Sequence, residues 1–77
     1  MRVTIKLYGN LKRYSPEQKE TAQLGVDPGT TIANLLARLG VQDSLIWMTA
    51  INDTVVDPST VLQDGDMLEV FEPVGGG

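Results

Sequence analysis

Only one stretch of this 77-residue chain has the period of a helix, and that single helix limits what the chain can fold into. Four apolar residues recur at helical spacing and form a stripe along one face: Ile32, Leu35, Leu36 and Leu39. Thr30 or Thr31 can cap the first turn, and Gly40 lies where a left-handed C-terminal cap belongs. A lone helix cannot bury such a stripe by itself, so it must lie across one face of a sheet.

Short runs of alternating apolar and polar residues predict the strands of that sheet. Residues 2–8 and 21–26 form two such runs, and the polar connector 11–19 between them predicts a hairpin with an enlarged loop. Residues 45–52 are mostly apolar and predict a central strand, and residues 55–56 predict a short one. Turn residues separate these runs throughout.

The last strand is predicted at residues 67–72, after the tight turn 64–66. Leu68 and Val70 would face the core, and the alternate side chains would face outward: Met67, Glu69 and Phe71. Pro73 lacks an N–H and ends the ladder. This order predicts an α+β fold of the β-grasp type, a mixed sheet of four to five strands with one main helix packed across one face. If the first and last strands are central parallel neighbours, the C-terminus projects from one end of the sheet.

The composition limits the function classes. The chain has no cysteine and no histidine, which excludes disulfides, thiolate nucleophiles and zinc held by cysteine, and removes the commonest general base. A self-contained enzyme is therefore not expected. The net charge of −4 argues against nucleic-acid binding and favours a protein partner with a basic face. The aspartates have the spacing of turns, and no metal site is expected.

The location is also bounded by the sequence. No apolar run reaches the length of about 18 residues that a membrane span needs. The N-terminal residues alternate at once and show no apolar region typical of a secretory signal. We therefore expect a cytoplasmic protein without a membrane partner.

Three consecutive glycines at residues 75–77 make the end of the chain unusual, since glycine averages about 7% of residues. Residues without side chains cannot pack or cap, so they leave the terminal carboxylate on a thin, flexible stalk. One interpretation is a frayed terminus, and the other is that the carboxylate is the working group. We divide the chain into a domain, residues 1–73, and a tail, residues 74–77.

Aromatic side chains near the last strand are candidates for contact with a partner. Phe71 is predicted to face outward beside the tail, although a slip of one residue in register would turn it inward. Trp47 and Met48 alternate on a predicted strand, so one is expected in the core and the other exposed, and the pattern does not say which.

Five segments together resemble the ubiquitin-like sulfur carriers, the MoaD/ThiS family, and are most similar to the small subunit of molybdopterin synthase. These segments are residues 3–11, 29–40, 50–52, 62–66 and 71–77. The glycine ending at a fixed distance from the Asp-Gly-Asp turn is more specific than any single segment. Two positions depart from the family pattern: Glu72-Pro73 stands where Pro-Pro is frequent, and Asn52-Asp53 where Asn-Gly is frequent.

The resemblance implies a protein that is not catalytic alone. A separate activating enzyme of the ubiquitin-activating type would use ATP to adenylate the Gly77 carboxylate. A sulfur donor would then convert it to a thiocarboxylate, so the sulfur is carried covalently and no cofactor is bound. The large catalytic subunit of molybdopterin synthase would be the partner. The resemblance gives the contacts to that subunit as Phe71, Glu72, Pro73, Val74, Gly75 and Gly76.

The implied product is molybdopterin, the ligand of the molybdenum or tungsten cofactor. Other roles remain open at this point. The chain could carry sulfur for thiazole (thiamine) formation, RNA thiolation or amino-acid sulfuration, or it could be a ubiquitin-like protein modifier. A β-grasp binding module whose glycines are incidental is the alternative from another class.

Overall fold

A computed structural model describes residues 1–73 and shows a five-stranded sheet with one α-helix across one face. The strands are β1 (Arg2–Leu7), β2 (Thr21–Gly25), β3 (Met48–Ile51), β4 (Thr54–Val56) and β5 (Met67–Phe71), and the helix is α1 (Ile32–Arg38). The strand order is β2-β1-β5-β3-β4, with β1 parallel to β5 and the other neighbours antiparallel. The predicted β-grasp class is confirmed, and the first and last strands are central parallel neighbours. The predicted tail lies outside the described residues.

The hairpin of β1 and β2 is antiparallel as predicted, with Val3 opposite Leu24. Its connector, predicted as a polar loop, contains two 3₁₀ helices, Gly9–Tyr14 and Pro16–Gln18. Leu11 in the first of them is only 2% exposed and belongs to the hydrophobic core. The connector therefore closes one end of the core as well as joining two strands.

Helix α1 begins and ends with side-chain and backbone caps. Thr31 is the N-cap: its hydroxyl accepts a hydrogen bond from the Asn34 amide, and the Asn34 side chain accepts one from the Thr31 amide. This reciprocal capping box satisfies amide groups that the first turn leaves free. At the other end Gly40 has φ +88° and the Val41 amide donates to the Leu36 carbonyl at 2.9 Å. That pattern is a Schellman motif, as the glycine predicts.

The apolar stripe of α1 packs against the centre of the sheet. Ile32 and Leu35 are fully buried, and so are Leu68 and Val70 of β5, as predicted. The other buried core residues belong to β1, α1 and the connecting segments: Val3, Ile5, Leu7, Leu11, Val26, Leu36, Val41 and Leu62. Burial of these side chains holds a helix that is too short to be stable in isolation.

Strand β3 is shorter than the predicted strand 45–52, and β5 occupies the middle of the sheet in its place. Asp43–Leu45 forms a 3₁₀ helix, and pairing with β5 begins only at Met48, which lies opposite Phe71. Strand β3 does not extend further toward residue 45, because β5 ends at Phe71 and has no further residue to pair with it.

The turn between β3 and β4 contains two non-glycine residues with positive φ, Asn52 at 50° and Asp53 at 72°. These angles fit a two-residue type I′ hairpin turn. The Asn52 side chain also accepts a hydrogen bond from the Met67 amide at 3.0 Å and donates to an Asp66 carboxylate oxygen at 3.3 Å. Asn52 thus joins this hairpin to the start of β5. Within residues 1–73, no helix has the length and apolar character to cross a bilayer.

Candidate partner-binding site at the end of the sheet

The end of β5 is the point where the chain leaves the sheet. The Trp47 amide donates to the Phe71 carbonyl at 2.8 Å, and the Tyr8 amide donates to the Val70 carbonyl at 3.2 Å. Both neighbouring strands therefore hold the last residues of β5. Pro73 follows at an exposed position and has no N–H to extend the ladder. The segment that precedes the tail is fixed from two sides in the middle of a sheet.

We call the sheet face opposite α1 the open face. At this end of the sheet it is formed by the side chains of Lys6, Tyr8, Met48, Glu69 and Phe71. Phe71 lies on the open face, as the alternation predicts, because its neighbour Val70 is fully buried. The Phe71 ring stacks on the Tyr8 ring with centroids 4.6 Å apart and planes 7° from parallel. A partner would meet a rigid aromatic pair here.

Charged groups hold the Tyr8 ring in place. The Tyr8 hydroxyl donates to a Glu69 carboxylate oxygen at 2.6 Å, and the Lys6 ammonium lies 5.1 Å from the Tyr8 ring centroid. The hydrogen bond to Glu69, followed by burial, raises the pKa of Tyr8 above its usual value. The neighbouring Tyr8 side chain is the largest cause that raises the pKa of Lys6. At neutral pH the Tyr8 phenol is therefore neutral and the Lys6 ammonium is charged, since the pKa of each is raised.

Glu72 folds back onto its own domain. Its carboxylate accepts a hydrogen bond from the Asn10 amide at 2.7 Å, at the start of the first 3₁₀ helix. A carboxylate at this place satisfies an amide that the helix leaves free. Gly9 makes the approach possible, because a Cβ there would lie 2.5 Å from the Glu72 carboxyl carbon. The residue predicted to contact a partner thus has an internal bond that the sequence did not indicate.

Trp47 is the exposed member of the pair that the sequence left open, with 61% of its surface accessible. The expectation that the other member is a core residue is wrong, since Met48 is half-buried on the open face. This follows from the short β3, in which Met48 pairs with Phe71 and so shares its face.

The structure brings Phe71, Glu72 and Pro73 together at one end of the sheet, while residues 74–77 lie outside the described part of the chain. Sequence reasoning missed Tyr8 and Gly9 as parts of this site. The outward position of Tyr8 on β1 was visible, and a parallel register with β5 would have placed it beside Phe71. Within residues 1–73 no three acidic side chains converge as metal ligands.

Comparison with solved structures gives close matches to the whole fold. SAMP1 from Haloferax volcanii has a TM-score of 0.75 at 21% sequence identity, with 100% of both chains covered. A chain in the complex of subunits 1 and 2 of the molybdopterin-converting factor from Helicobacter pylori has a TM-score of 0.64 at 26% identity, again with 100% of both chains covered. A search of curated proteins gives no match.

Comparison with protein families adds a sequence match. The model of the ThiS family matches residues 5–77, nearly the whole chain and its last residue included. The five-stranded mixed sheet with one main helix agrees with the fold of the solved structures above. The chain therefore belongs to the ThiS family, in the MoaD/ThiS group of ubiquitin-like sulfur carriers.

Proposed function

We propose that this protein carries sulfur on its C-terminal Gly77 and donates it in the formation of molybdopterin. The observation that carries the proposal is the end of β5, where backbone hydrogen bonds from Trp47 and Tyr8 fix the chain shortly before the tail. Extended, the tail would reach about 13–14 Å. Glycines would let it enter a channel too narrow for side chains.

The chemistry begins at a carboxylate that is ionised at neutral pH and is a poor electrophile. One carboxylate oxygen of Gly77 attacks the α-phosphorus of ATP, and pyrophosphate leaves. A sulfur nucleophile at the oxidation level of hydrosulfide then adds to the carbonyl carbon. The bond to the AMP oxygen breaks, AMP leaves with the electron pair, and a thiocarboxylate remains. The activating enzyme supplies the catalytic groups, because this chain has neither cysteine nor histidine.

The large subunit of molybdopterin synthase would bind the open face beside the tail. The Tyr8–Phe71 pair provides a rigid aromatic contact, a residue type frequent in interface hot spots. Lys6 and Glu69 flank it with opposite charges, which would fix the orientation of the partner. The complex of subunits 1 and 2 in the Helicobacter pylori structure supports a partner of this kind.

Intact mass spectrometry tests the carrier chemistry. After incubation with a purified activating enzyme, MgATP and sulfide, the protein should gain about 16 Da, the replacement of one oxygen by sulfur. A matched variant with one alanine added after Gly77 should gain nothing and should unfold at the same temperature. Absence of the mass gain in the natural chain would refute the carrier role. A larger adduct on a lysine would favour the protein-modifier alternative.

Transfer from the thiocarboxylate tests the pathway. Mixed with the large subunit of a molybdopterin synthase and its pterin substrate, the loaded protein should lose its sulfur and the dithiolene should form. Phe71→Ala should slow this transfer when the carrier does not saturate the large subunit, whereas Val61→Ala, at an exposed position opposite Thr31, should not. If sulfur leaves only with a thiazole, RNA or amino-acid acceptor, the pathway assignment is wrong while the carrier role stands.

A further inference from the structure

A second surface adjoins the end of β5, at the edge of the sheet that β3 and β4 form. It is an apolar groove of about 460 Å³ between α1 and the hairpin of β3 and β4. We call it the Trp47 groove, and its apolar lining includes Ala33, Leu36, Ile46, Trp47, Val55 and Val56. The Trp47 amide donates a hydrogen bond to the Phe71 carbonyl, so the groove begins where the chain leaves the sheet.

The groove exposes apolar surface that the domain could have covered. Trp47 is 61% exposed and Val55 is 63% exposed, whereas Leu36 on the helix side of the groove is 1% exposed. Large apolar side chains grouped at the rim of a concavity mark interaction surfaces more often than isolated ones do. Tryptophan in particular provides binding energy at protein interfaces.

Strand β4 gives the groove a free backbone edge, because it is the last strand of the sheet. The pair flanking the Asn52–Asp53 turn is Ile51 with Thr54, and the next is Ala50 with Val55. In a hairpin closed by a two-residue turn, the flanking pair exchanges hydrogen bonds and the next pair does not. The N–H and C=O of Val55 therefore point away from β3, toward the free edge.

The acidic residues at the rim of the groove indicate which kind of segment can bind there. The ionisable residues of the lining are Asp43 and Asp57, both exposed. Asp57 is held in place, since its carboxylate accepts a hydrogen bond from the Ser59 amide at 2.8 Å. A second copy of this chain, with its net charge of −4, would bring like charges together at this rim. The groove instead suits a cationic segment.

We propose that the Trp47 groove binds an extended segment of a partner protein by adding it to the edge of β4. The segment places one bulky apolar side chain against Trp47 and a lysine or arginine beside Asp43 and Asp57. Strand addition supplies backbone hydrogen bonds at Val55, and the groove supplies selectivity. Because the groove adjoins the end of β5, a partner that receives the tail could contact the groove as well as the Tyr8–Phe71 pair.

Trp47 is the single tryptophan of the chain, so its fluorescence reports directly on the groove. The probe is a short acetylated and amidated peptide of alternating isoleucine and lysine, and the matched control has glutamate in place of lysine. The lysine peptide should give a saturable blue shift that weakens with salt. Asp43→Asn and Asp57→Asn should each weaken its binding about 2- to 5-fold. Hydrogen exchange of the Val55 amide should slow when the peptide is bound.

Three results would overturn the proposal: no saturable shift with the lysine peptide, an equal response to the glutamate peptide, or unchanged exchange at Val55. A blue shift that depends only on the concentration of the protein itself would identify a second copy as the occupant and would also refute it. The peptide assay uses neither activating enzyme nor sulfur donor. It can therefore fail while the mass gain on Gly77 persists, and the two proposals stand or fall separately.

Discussion

The Glu72 carboxylate lies so close to Gly9 that a Cβ added to Gly9 would approach the carboxyl carbon to 2.5 Å. The same carboxylate accepts a hydrogen bond from the Asn10 amide, with 2.7 Å between nitrogen and oxygen. Gly9 also has φ +60°, a conformation that residues with a Cβ adopt only with strain. Gly9 thus lacks a side chain for two reasons, its backbone angle and the approach of Glu72.

Gly9→Ala and Gly29→Ala separate these two reasons. Gly29 has φ +90° and open space around its Cβ position, so alanine there should cost only backbone strain, about 1–2 kcal/mol of unfolding free energy. Gly9→Ala should cost about 1 kcal/mol more, because Glu72 must move and release the Asn10 amide. Urea unfolding of the two variants measures the difference.

The control for this contact is a double-mutant cycle. In a Glu72→Ala background, Gly9→Ala should cost no more than Gly29→Ala does, because the carboxylate that it meets is gone. An undiminished excess cost would show that Glu72 is not the cause. The cycle therefore measures the coupling between the residues before the tail and the first 3₁₀ helix.

Stability is expected to decrease above about pH 10, where unfolded tyrosine and lysine lose their protons. The folded state raises the pKa of both Tyr8 and Lys6. A raised pKa stabilises the fold fully below the unfolded value, and this contribution is lost as the pH rises through the folded value. Tyr8→Phe removes the phenol and also the largest cause of the Lys6 shift, so its stability should decrease less steeply above pH 10.

Urea unfolding of the natural chain and of Tyr8→Phe between pH 8 and about pH 11 measures how steeply the unfolding free energy decreases with pH. Tyr14→Phe is the matched control, since Tyr14 lies outside the cluster and its hydroxyl contacts Arg13. Equal slopes for the natural chain and Tyr8→Phe would mean that the Tyr8 phenol does not contribute to the loss of stability at alkaline pH.

The third prediction concerns the N-terminal cap of α1. Thr31→Ala should lower the unfolding free energy by about 1 kcal/mol, because the Asn34 amide loses its acceptor. Thr31→Ser keeps the hydroxyl and should cost much less. If serine costs as much as alanine in thermal unfolding, the threonine methyl group and not the cap is responsible.

The sequence predicted those parts of the fold that depend on periodicity. Leu68 and Val70 must both be buried, and their alternation alone places Phe71 on the open face. Leu11 is a single leucine in a polar connector, so no period revealed that it belongs to the core. The contact of Glu72 with Asn10 spans 62 positions and exists only because β1 and β5 are parallel neighbours.

The same reasoning explains what was missed beside the tail. The Trp47 groove is lined by α1, β3, β4 and the connector before β3, and the pattern of each one separately shows only which residues are apolar. Without the register between Met48 and Phe71, alternation could not decide which of Trp47 and Met48 is exposed. Periodicity predicts the face on which a residue lies, and the pairing of strands decides what it meets there.

Two neighbouring residues of the β3–β4 turn should respond to glycine in opposite directions. Asp53 has φ 72° and, among the described residues, its side chain makes no hydrogen bond, so Asp53→Gly should relieve strain and stabilise the fold by about 0.5–1 kcal/mol. Asn52 has a similar φ, but its side chain accepts from the Met67 amide and donates to Asp66. Asn52→Gly should therefore destabilise the fold by about 1–2 kcal/mol.

Urea unfolding of the two variants beside the natural chain distinguishes strain from hydrogen bonding at this turn. If the angle at each residue were decisive, both glycines would stabilise. If the hydrogen bonds of Asn52 are decisive, the signs differ, because the amide of Met67 at the start of β5 loses its side-chain acceptor. Two stabilised variants would mean that these bonds contribute little, and that the start of β5 is held chiefly by its ladders with β1 and β3.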